Sequence, residues 1–372
     1  MIRVINVISD SNIGGAGKCV LTFLKYYDRS RFDVKVVIPR GSLLKKELEQ
    51  LGADIIEADG ILDKSLSLKG ISELKKIFRR FKPDVVHAHA SMSARFAARL
   101  SWTKPKIVFT RHSVFEPSKK ISEGLGKAVN GFVNNSTADR IIAVADAAKD
   151  NIVKTGVNPD KVLVIKNGVQ PLKKLSDEEK LKIKSNYNVA EDEYLLGIVA
   201  RLNYVKGHTY ILEAVKKLID DGIKVKLLVA GTGDYEDEIR RKTAELDIAY
   251  NVIMTGFVED VTGIMNILDV NLNASFGTEA TSLSLLEGMS IGIPAVVSDF
   301  GGNPGVIEHG VNGLIFKKCD SHDMYLKLKS ILTDEEKMKD FREGSEKVFQ
   351  DKFRAEVMTG DIQNVYESVM GE

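Results

Sequence analysis

Two pairs of charged side chains in the C-terminal half of this 372-residue chain have the types and spacing to hold an anionic ligand. Arg201 and Lys206 share one segment, Ala200-Arg-Leu-Asn-Tyr-Val-Lys-Gly207, between an apolar run that reads as a strand and a helical pattern starting near Thr209. A guanidinium offers a planar fork of donors and an ammonium a compact point charge, so the pair suits a diphosphate, although solvated surface charge is the commoner fate of either residue alone. Glu279 and Glu287 lie in Phe276-Gly-Thr-Glu-Ala-Thr-Ser-Leu-Ser-Leu-Leu-Glu-Gly-Met-Ser290. A helix is expected over Thr281 to Ser290, with Thr281 and Ser282 as capping candidates and Glu287 about two turns beyond Glu279. The two carboxylates need not touch; they could address different parts of an extended ligand whose phosphates meet the helix N-terminus. A first-turn glutamate complementing the helix dipole is the plainer explanation of Glu279. Glu287, among Leu283, Leu285, Leu286 and Met289, is a lone carboxylate on an apolar helix, which calls for a partner or a ligand.

Two glycine-rich turns add to this. Asn12-Ile-Gly-Gly-Ala-Gly-Lys18 stands between the first strand and a helix expected from about Lys18, where glycines permit close approach of a ligand to the backbone. It is neither a Walker A loop, since Cys19 follows Lys18, nor a G-x-G-x-x-G fingerprint. Gly231-Thr-Gly-Asp234 ends another strand on the same rim as Arg201.

The elements that would position these residues alternate regularly. Strands are expected at Arg3 to Ile8, Val34 to Ile38, Val85 to Ala88, Ile107 to Thr110, Arg140 to Val144 and Val162 to Ile165, with helices after the first three. A charged stretch over 171–194 then precedes a second series: strand Leu195 to Ala200, helix Thr209 to Asp220, strand Val225 to Ala230, helix Tyr235 to Leu246, and strands Val252 to Thr255, Val270 to Ala274 and Ala295 to Ser298. This is the α/β signature of two doubly wound, Rossmann-like domains with parallel sheets, facing each other across a cleft. One domain is expected over 1–172 plus a final helix over about 355–372, and the other over 173–354.

Composition fits a globular protein of two domains, with 44% hydrophobic and 28% charged residues. Two distant cysteines, Cys19 and Cys319, supply neither a disulfide framework nor a zinc site. The first residues read as a buried strand and not as a signal peptide, and no apolar run is long enough to span a bilayer, so a cytoplasmic protein is expected. Residues 1–170 carry 29 Lys and Arg against 17 Asp and Glu, while residues 171–372 carry 24 against 35. The basic half, with Arg95, Arg99, Lys104, Lys106, Lys119, Lys120 and Lys127, could meet an anionic membrane surface peripherally or an anionic acceptor, or the two halves could simply attract each other. No nucleic-acid partner is expected.

Taken together, these segments resemble family 4 of the GT-B glycosyltransferases. Glu279 and Glu287 reproduce its E-x7-E pattern, and Ala200 to Gly207 is similar to its G-R-L-x-x-x-K-G loop. Gly14-Gly15 resembles its N-terminal glycine loop, and Gly292 to Asp299 followed by Gly301-Gly302 its G-x-P-V-V segment. His87-Ala-His89 and Thr110-Arg-His112 resemble paired strand-end motifs, and Asn167-Gly168-Val169 the turn closing the first domain. Gly305 and Ala280 depart from the pattern, which usually has Glu and Gly there. The resemblance implies a retaining transferase moving a sugar from a nucleotide diphosphate, a UDP-sugar by preference, to a glycan or lipid-linked acceptor in cell-surface polysaccharide or glycolipid synthesis. It implies that Arg201 and Lys206 hold the diphosphate, assisted by Gly15 and the backbone N–H groups of Thr281, Ser282 and Leu283. Glu287 would bind ribose, Glu279 would orient the transferred sugar, the backbone near Val258 would meet the base, and His112 would stand at the reaction centre. No DxD segment follows a strand, so no metal or other cofactor is expected. A nucleotide-sugar epimerase, or a non-catalytic nucleotide-sugar or glycan binder, are the alternatives on the same architecture.

Overall fold

The computed structural model describes residues 1–114 and 116–371. They form two compact units, one of Met1–Gly168 together with the chain from Ala355 onward, the other of Val169–Arg354. The first unit thus ends four residues before the boundary expected at 172. Val169 already belongs to the second, where its N–H donates to the Phe353 carbonyl at 3.0 Å.

The first unit is a seven-stranded, all-parallel sheet of β1 (Ile2–Ile8), β2 (Phe32–Pro39), β3 (Asp54–Ala58), β4 (Val85–His89), β5 (Lys106–Arg111), β6 (Arg140–Ala143) and β7 (Val162–Val164), in the order β3-β2-β1-β4-β5-β6-β7. β1 and β4 are almost continuously buried, as expected of central strands covered by helices on both faces. β3, absent from the sequence expectation, is the half-buried edge, and its mixed composition Asp-Ile-Ile-Glu-Ala hides the strand signal. The helix after β1 begins at Gly15, three residues earlier than expected, because Lys18 N–H already closes a helical bond to Gly14 O at 3.0 Å. Gly17 is the position there that needs a glycine: a Cβ would press on the Leu44 side chain at 2.8 Å. The C-terminal helix Ala355–Met370 packs on the helix Gly15–Tyr26 and buries Tyr366 edge-on against Phe23 and Phe32.

The second unit is a six-stranded parallel sheet of β8 (Tyr194–Val199), β9 (Val225–Ala230), β10 (Val252–Gly256), β11 (Val270–Asn273), β12 (Ala295–Ser298) and β13 (Gly313–Phe316), in the order β10-β9-β8-β11-β12-β13. Its main core joins Leu196 and Ile198 of β8 and Leu227 and Val229 of β9 to Ile211, Val215 and Leu218 of the helix His208–Asp220. The charged stretch after 171 forms the helix Asp177–Asn186, started by a capping box between Ser176 and Glu179. In both sheets the strand order reverses once, between β1 and β4 and between β8 and β11, and a parallel sheet binds ligands at such a point, beyond the strands' C-terminal ends.

Candidate active site

At the reversal point of the second sheet, the loops leaving β8 and β11 meet through Lys206 and Glu279. Lys206 Nζ donates to Glu279 Oε2 at 2.7 Å, and Asn273 Nδ2 and Ser275 Oγ donate to the same oxygen at 3.0 Å each. Glu279 is only 7% exposed, so three donors offset the desolvation of its charge. All three converge on Oε2; among the described residues none donates to Oε1, which leaves that oxygen to accept from a ligand.

The geometry is set by backbone contacts around the pair. Tyr204–Lys206 form a single 3-10 turn closed by Gly207 at φ 72°, where a Cβ would collide with the Ala274 carbonyl. Phe276 N–H donates to Val205 O at 2.9 Å, and the Tyr204 and Phe276 rings meet edge-on at 5.0 Å. On the other side, Gly302 N–H donates to Glu279 O at 3.0 Å, and Gly301, at φ 61°, is packed too closely on that carbonyl for any side chain. Arg201 is exposed on the loop that carries Lys206. That loop is laced to the turn after β9 by Leu202 N–H to Thr232 O at 3.0 Å, with Gly231 and Gly233 lying against the carbonyls of Ala200 and Leu202. Gly231 N–H in turn reaches Gly256 O at 2.8 Å, joining the end of β10, after which Val258 packs half-buried on the core.

Glu287 is half-buried on the helix Leu283–Met289, whose opposite face buries Leu285, Leu286 and Met289. This helix starts two residues later than expected. The chain at Glu279 is held from both sides, by Lys206 on its carboxylate and Gly302 on its carbonyl, and enters the helix only after turning away. The expected capping is corrected accordingly: Thr281 precedes the helix, and Ser282 takes the N-cap position without capping, its hydroxyl pairing with Ser284 Oγ at 3.0 Å. The first N–H groups of the helix are therefore not occupied by that side chain.

His112 and Gly15 belong to the first unit. Gly15 opens the helix after β1, and a Cβ there would meet nothing within 4 Å. His112, just past β5, is the outer member of a buried relay: Asn6 Oδ1 lies 3.0 Å from His89 Nε2, and His89 Nδ1 lies 2.9 Å from His112 Nε2. With Asn6 Oδ1 accepting, His89 Nε2 carries its proton and Nδ1 is the acceptor, so His112 donates from Nε2 and holds a bare lone pair on Nδ1. Nδ1 of His112 is buried without a protein partner. Burial pushes the His112 imidazole down to about 4, and His87 to about 3, so both are neutral at physiological pH. His87 closes a parallel relay, from Nδ1 to Tyr366 OH at 2.7 Å and from Nε2 to Thr110 Oγ1 at 2.6 Å.

Residues 13–171 match Glycosyltransferase Family 4, and residues 179–348 match the glycosyl transferases group 1 family. The chain belongs to this glycosyltransferase family. Among relatives, the glycosyltransferase MJ1607 of Methanocaldococcus jannaschii is 29% identical over 263 residues, which span 68% of this chain and 65% of that protein. The Escherichia coli UDP-Gal:alpha-D-GlcNAc-diphosphoundecaprenol alpha-1,3-galactosyltransferase is 25% identical over 324 residues, 83% of this chain and 82% of the relative. Anabaena HepE, crystallised with UDP-glucose, superposes with a TM-score of 0.85 at 20% identity, covering 99% of this chain and 100% of that one. The GT-B fold expected of this glycosyltransferase is the one it has. Among its described residues, no group of three or more His, Cys, Asp or Glu side chains is placed to hold a metal ion, and no helix is long and apolar enough to cross a membrane.

The residues that hold the transferase's site together were not singled out from the sequence. Asn273 and Ser275 clamp Glu279, and Asn6 fixes the His89–His112 tautomers. A signal for them exists: Asn6, Asn271 and Asn273 are amides inside otherwise apolar strands, and a buried amide in a strand needs partners.

Proposed function

We propose that this glycosyltransferase moves a sugar from a UDP-sugar to a lipid-linked or glycan acceptor with retention of anomeric configuration, in the synthesis of a surface polysaccharide or glycolipid. The observation that carries the proposal is the part-buried Lys206–Glu279 pair beside the exposed Arg201 at the sheet's reversal point. UDP as carrier is supported by the E. coli galactosyltransferase, named for a UDP-Gal donor, and by Anabaena HepE, which binds UDP-glucose. The lipid-linked acceptor is supported by the diphosphoundecaprenol in the former's name.

Cleavage of the anomeric C–O bond leaves negative charge on the diphosphate and positive charge on the sugar. Arg201, Lys206 and the backbone N–H groups of Thr281, Ser282 and Leu283 would take up the former without a divalent cation, with Gly15 admitting the phosphates to the backbone. Glu279 would accept from a sugar hydroxyl through Oε1, Glu287 from the ribose, and the backbone at Val258 would face the base. His112 would accept a sugar hydroxyl's hydrogen bond at Nδ1 and, being neutral, adds no positive charge beside the oxocarbenium-like centre. The leaving phosphate would take the acceptor's proton on the same face, so that Glu279 positions the sugar and is not a nucleophile.

Titration of UDP-, GDP- and ADP-sugars against wild type and Glu287→Ala tests this reading. One UDP-sugar is expected to bind, about tenfold or more weakly in the variant as a charge-assisted hydrogen bond is lost; binding of no nucleotide sugar by the wild type would sink it.

We propose further that the first unit docks on an anionic membrane surface. The helix Gly124–Thr137 exposes Leu125, Val129 and Phe132, which its periodicity places on one face, and exposed Lys119 and Lys120 precede it in the chain. Flotation with phosphatidylglycerol vesicles at low salt should carry the protein, while Leu125→Glu/Phe132→Glu should stay behind; equal flotation of both would remove this helix from the interface.

A further inference from the structure

The two neutral donors on Glu279 Oε2, Asn273 and Ser275, are themselves held by a closed ring of buried hydrogen bonds. Asn303 opens the short helix Asn303–Val306 after β12 and is fully buried, as are Ser275 and Ser298. Its Nδ2 donates to Asn273 Oδ1 at 3.3 Å and to Ser298 Oγ at 3.1 Å. Ser298 Oγ donates to the Ser275 carbonyl at 2.6 Å, and the Ser275 N–H donates to Asn273 Oδ1 at 3.0 Å. The ring therefore begins and ends on the peptide groups of one residue, Ser275.

That anchoring fixes the direction of every proton in the ring. A backbone N–H can only donate and a carbonyl can only accept, so Asn273 must present Oδ1 to Ser275, and Ser298 must give its hydroxyl proton to Ser275 O. Asn303 is left facing two acceptors and must turn its NH2 group toward them; the reverse orientation would set its oxygen against both. Its own Oδ1 is buried without a partner, which is the smaller penalty of the two. With Oδ1 so committed, Asn273 has only Nδ2 to offer Glu279, and it donates at 3.0 Å. The turn that carries Asn303 also holds Glu279 by its main chain, since Gly302 N–H donates to Glu279 O at 3.0 Å.

We propose that Asn303 is a positioning residue for Glu279. By fixing the Asn273 amide and, through Ser298, the Ser275 peptide, it keeps both neutral donors on Oε2, so that Oε1 stays turned to the transferred sugar. The role of Glu279 toward a sugar rests on the transferase reading; the hydrogen-bond ring does not. In Asn303→Ala, Asn273 Oδ1 keeps only the Ser275 N–H, and Ser298 Oγ loses its donor. The amide is then free to swing, and the carboxylate with it.

Urea unfolding tests the ring without any donor present, by comparing the cost of Asn303→Ala in wild type and in Glu279→Gln. Asn303 acts on the carboxylate through Asn273, so its loss should cost less in the Glu279→Gln background, by at least about threefold in the unfolding constant; changes that add to within about twofold, as independent sites do, would overturn the proposal. Turnover then tests the positioning. With the UDP-sugar that the wild type uses, Asn303→Ala should lower kcat about five- to tenfold, as for the loss of one neutral hydrogen bond. UDP carries no sugar, so its Kd should stay within about twofold and its stoichiometry should not change. A purely structural role would instead remove UDP-binding sites in step with kcat, and that result would overturn the proposal. In the Glu279→Gln background Asn303→Ala should cost no further kcat; a further loss of about fivefold there would also overturn it. If Asn303→Ala does not fold, Asn303→Ser, which retains one donor hydroxyl, carries both comparisons. Absence of sugar transfer by the wild type would remove the transferase reading and leave the unfolding comparison to decide whether Asn303 acts on Glu279.

Discussion

Lys206→Ala is expected to lower kcat/KM for the cognate donor by about 100- to 1000-fold, the usual loss when one preorganised group is removed from a developing negative charge. It should also destabilise the second unit, by about 3 kcal/mol, because Glu279 would be left buried with Asn273 and Ser275 as its only donors. The two effects separate in Lys206→Ala/Glu279→Gln. Replacing the carboxylate by an amide removes the unpaired charge, so urea unfolding should recover most of the lost stability, with a coupling energy of about 2 kcal/mol. Activity should not recover, because neither the diphosphate cation nor the sugar-orienting oxygen returns. If the double variant regained both stability and turnover, the pair would be a structural ion pair and the diphosphate would be held elsewhere. Arg201→Ala supplies the contrast. Its side chain is exposed, so it should lose activity with little change in unfolding.

The sequence displayed five of the six strands of the second unit to within a residue at either end. Val225–Ala230 and Ala295–Ser298 coincide with the expected runs because central parallel strands are apolar on both faces and cannot be mistaken for loop. It concealed β3, a half-buried edge strand whose acidic residues break up the apolar run, and β13, whose four residues Gly313–Phe316 are too few to stand out although they are largely buried. The site was legible as charges, since Arg201, Lys206, Glu279 and Glu287 are conspicuous at strand ends and on an apolar helix. What sequence spacing could not give was which of them meet. Lys206 and Glu279 are 73 residues apart and are joined only because β8 and β11 become neighbours at the reversal of strand order. Arg95 was read as one more surface cation in a basic half; its burial follows from the packing of its helix against β5, which periodicity alone does not orient.

Acid should unfold the first unit well before the carboxylates of the surface begin to titrate. His87 and His89 are 1% and 3% exposed, and burial holds His87 near 3 and His89 well below an ordinary imidazole. The groups that hydrogen-bond to the two rings, Tyr366, Thr110, Asn6 and the neutral His112, include no carboxylate that would favour the imidazolium. In the unfolded chain both titrate near 6.5. Below that pH the unfolded state takes up protons that the fold refuses, so the stability present above pH 6.5 is lost as the pH falls toward the folded-state values. The slope approaches about 1.4 kcal/mol per pH unit for each ring below 6.5, which comes to about 3 kcal/mol for the two between pH 6.5 and 5.0. That is a large part of the ~5–15 kcal/mol that stabilises a typical domain. Paired acids such as Asp84, held below the usual carboxylate range by Arg3, weaken the fold only at lower pH, so the window from 6.5 to 5.0 reports the imidazoles. Urea midpoints followed by circular dichroism at pH 7.0 and 5.0 should show the loss in wild type, and His87→Gln/His89→Gln should reduce it to the share of His112, which burial also holds down to about 4, even if the variant's stability at pH 7.0 is lower. Activity lost at pH 5.0 should return on neutralisation with the refolding of this unit. A wild-type midpoint unchanged across the window would mean that the rings accept protons in the folded state, and that the Asn6–His89–His112 relay does not hold His112 neutral with its Nδ1 lone pair free for the substrate.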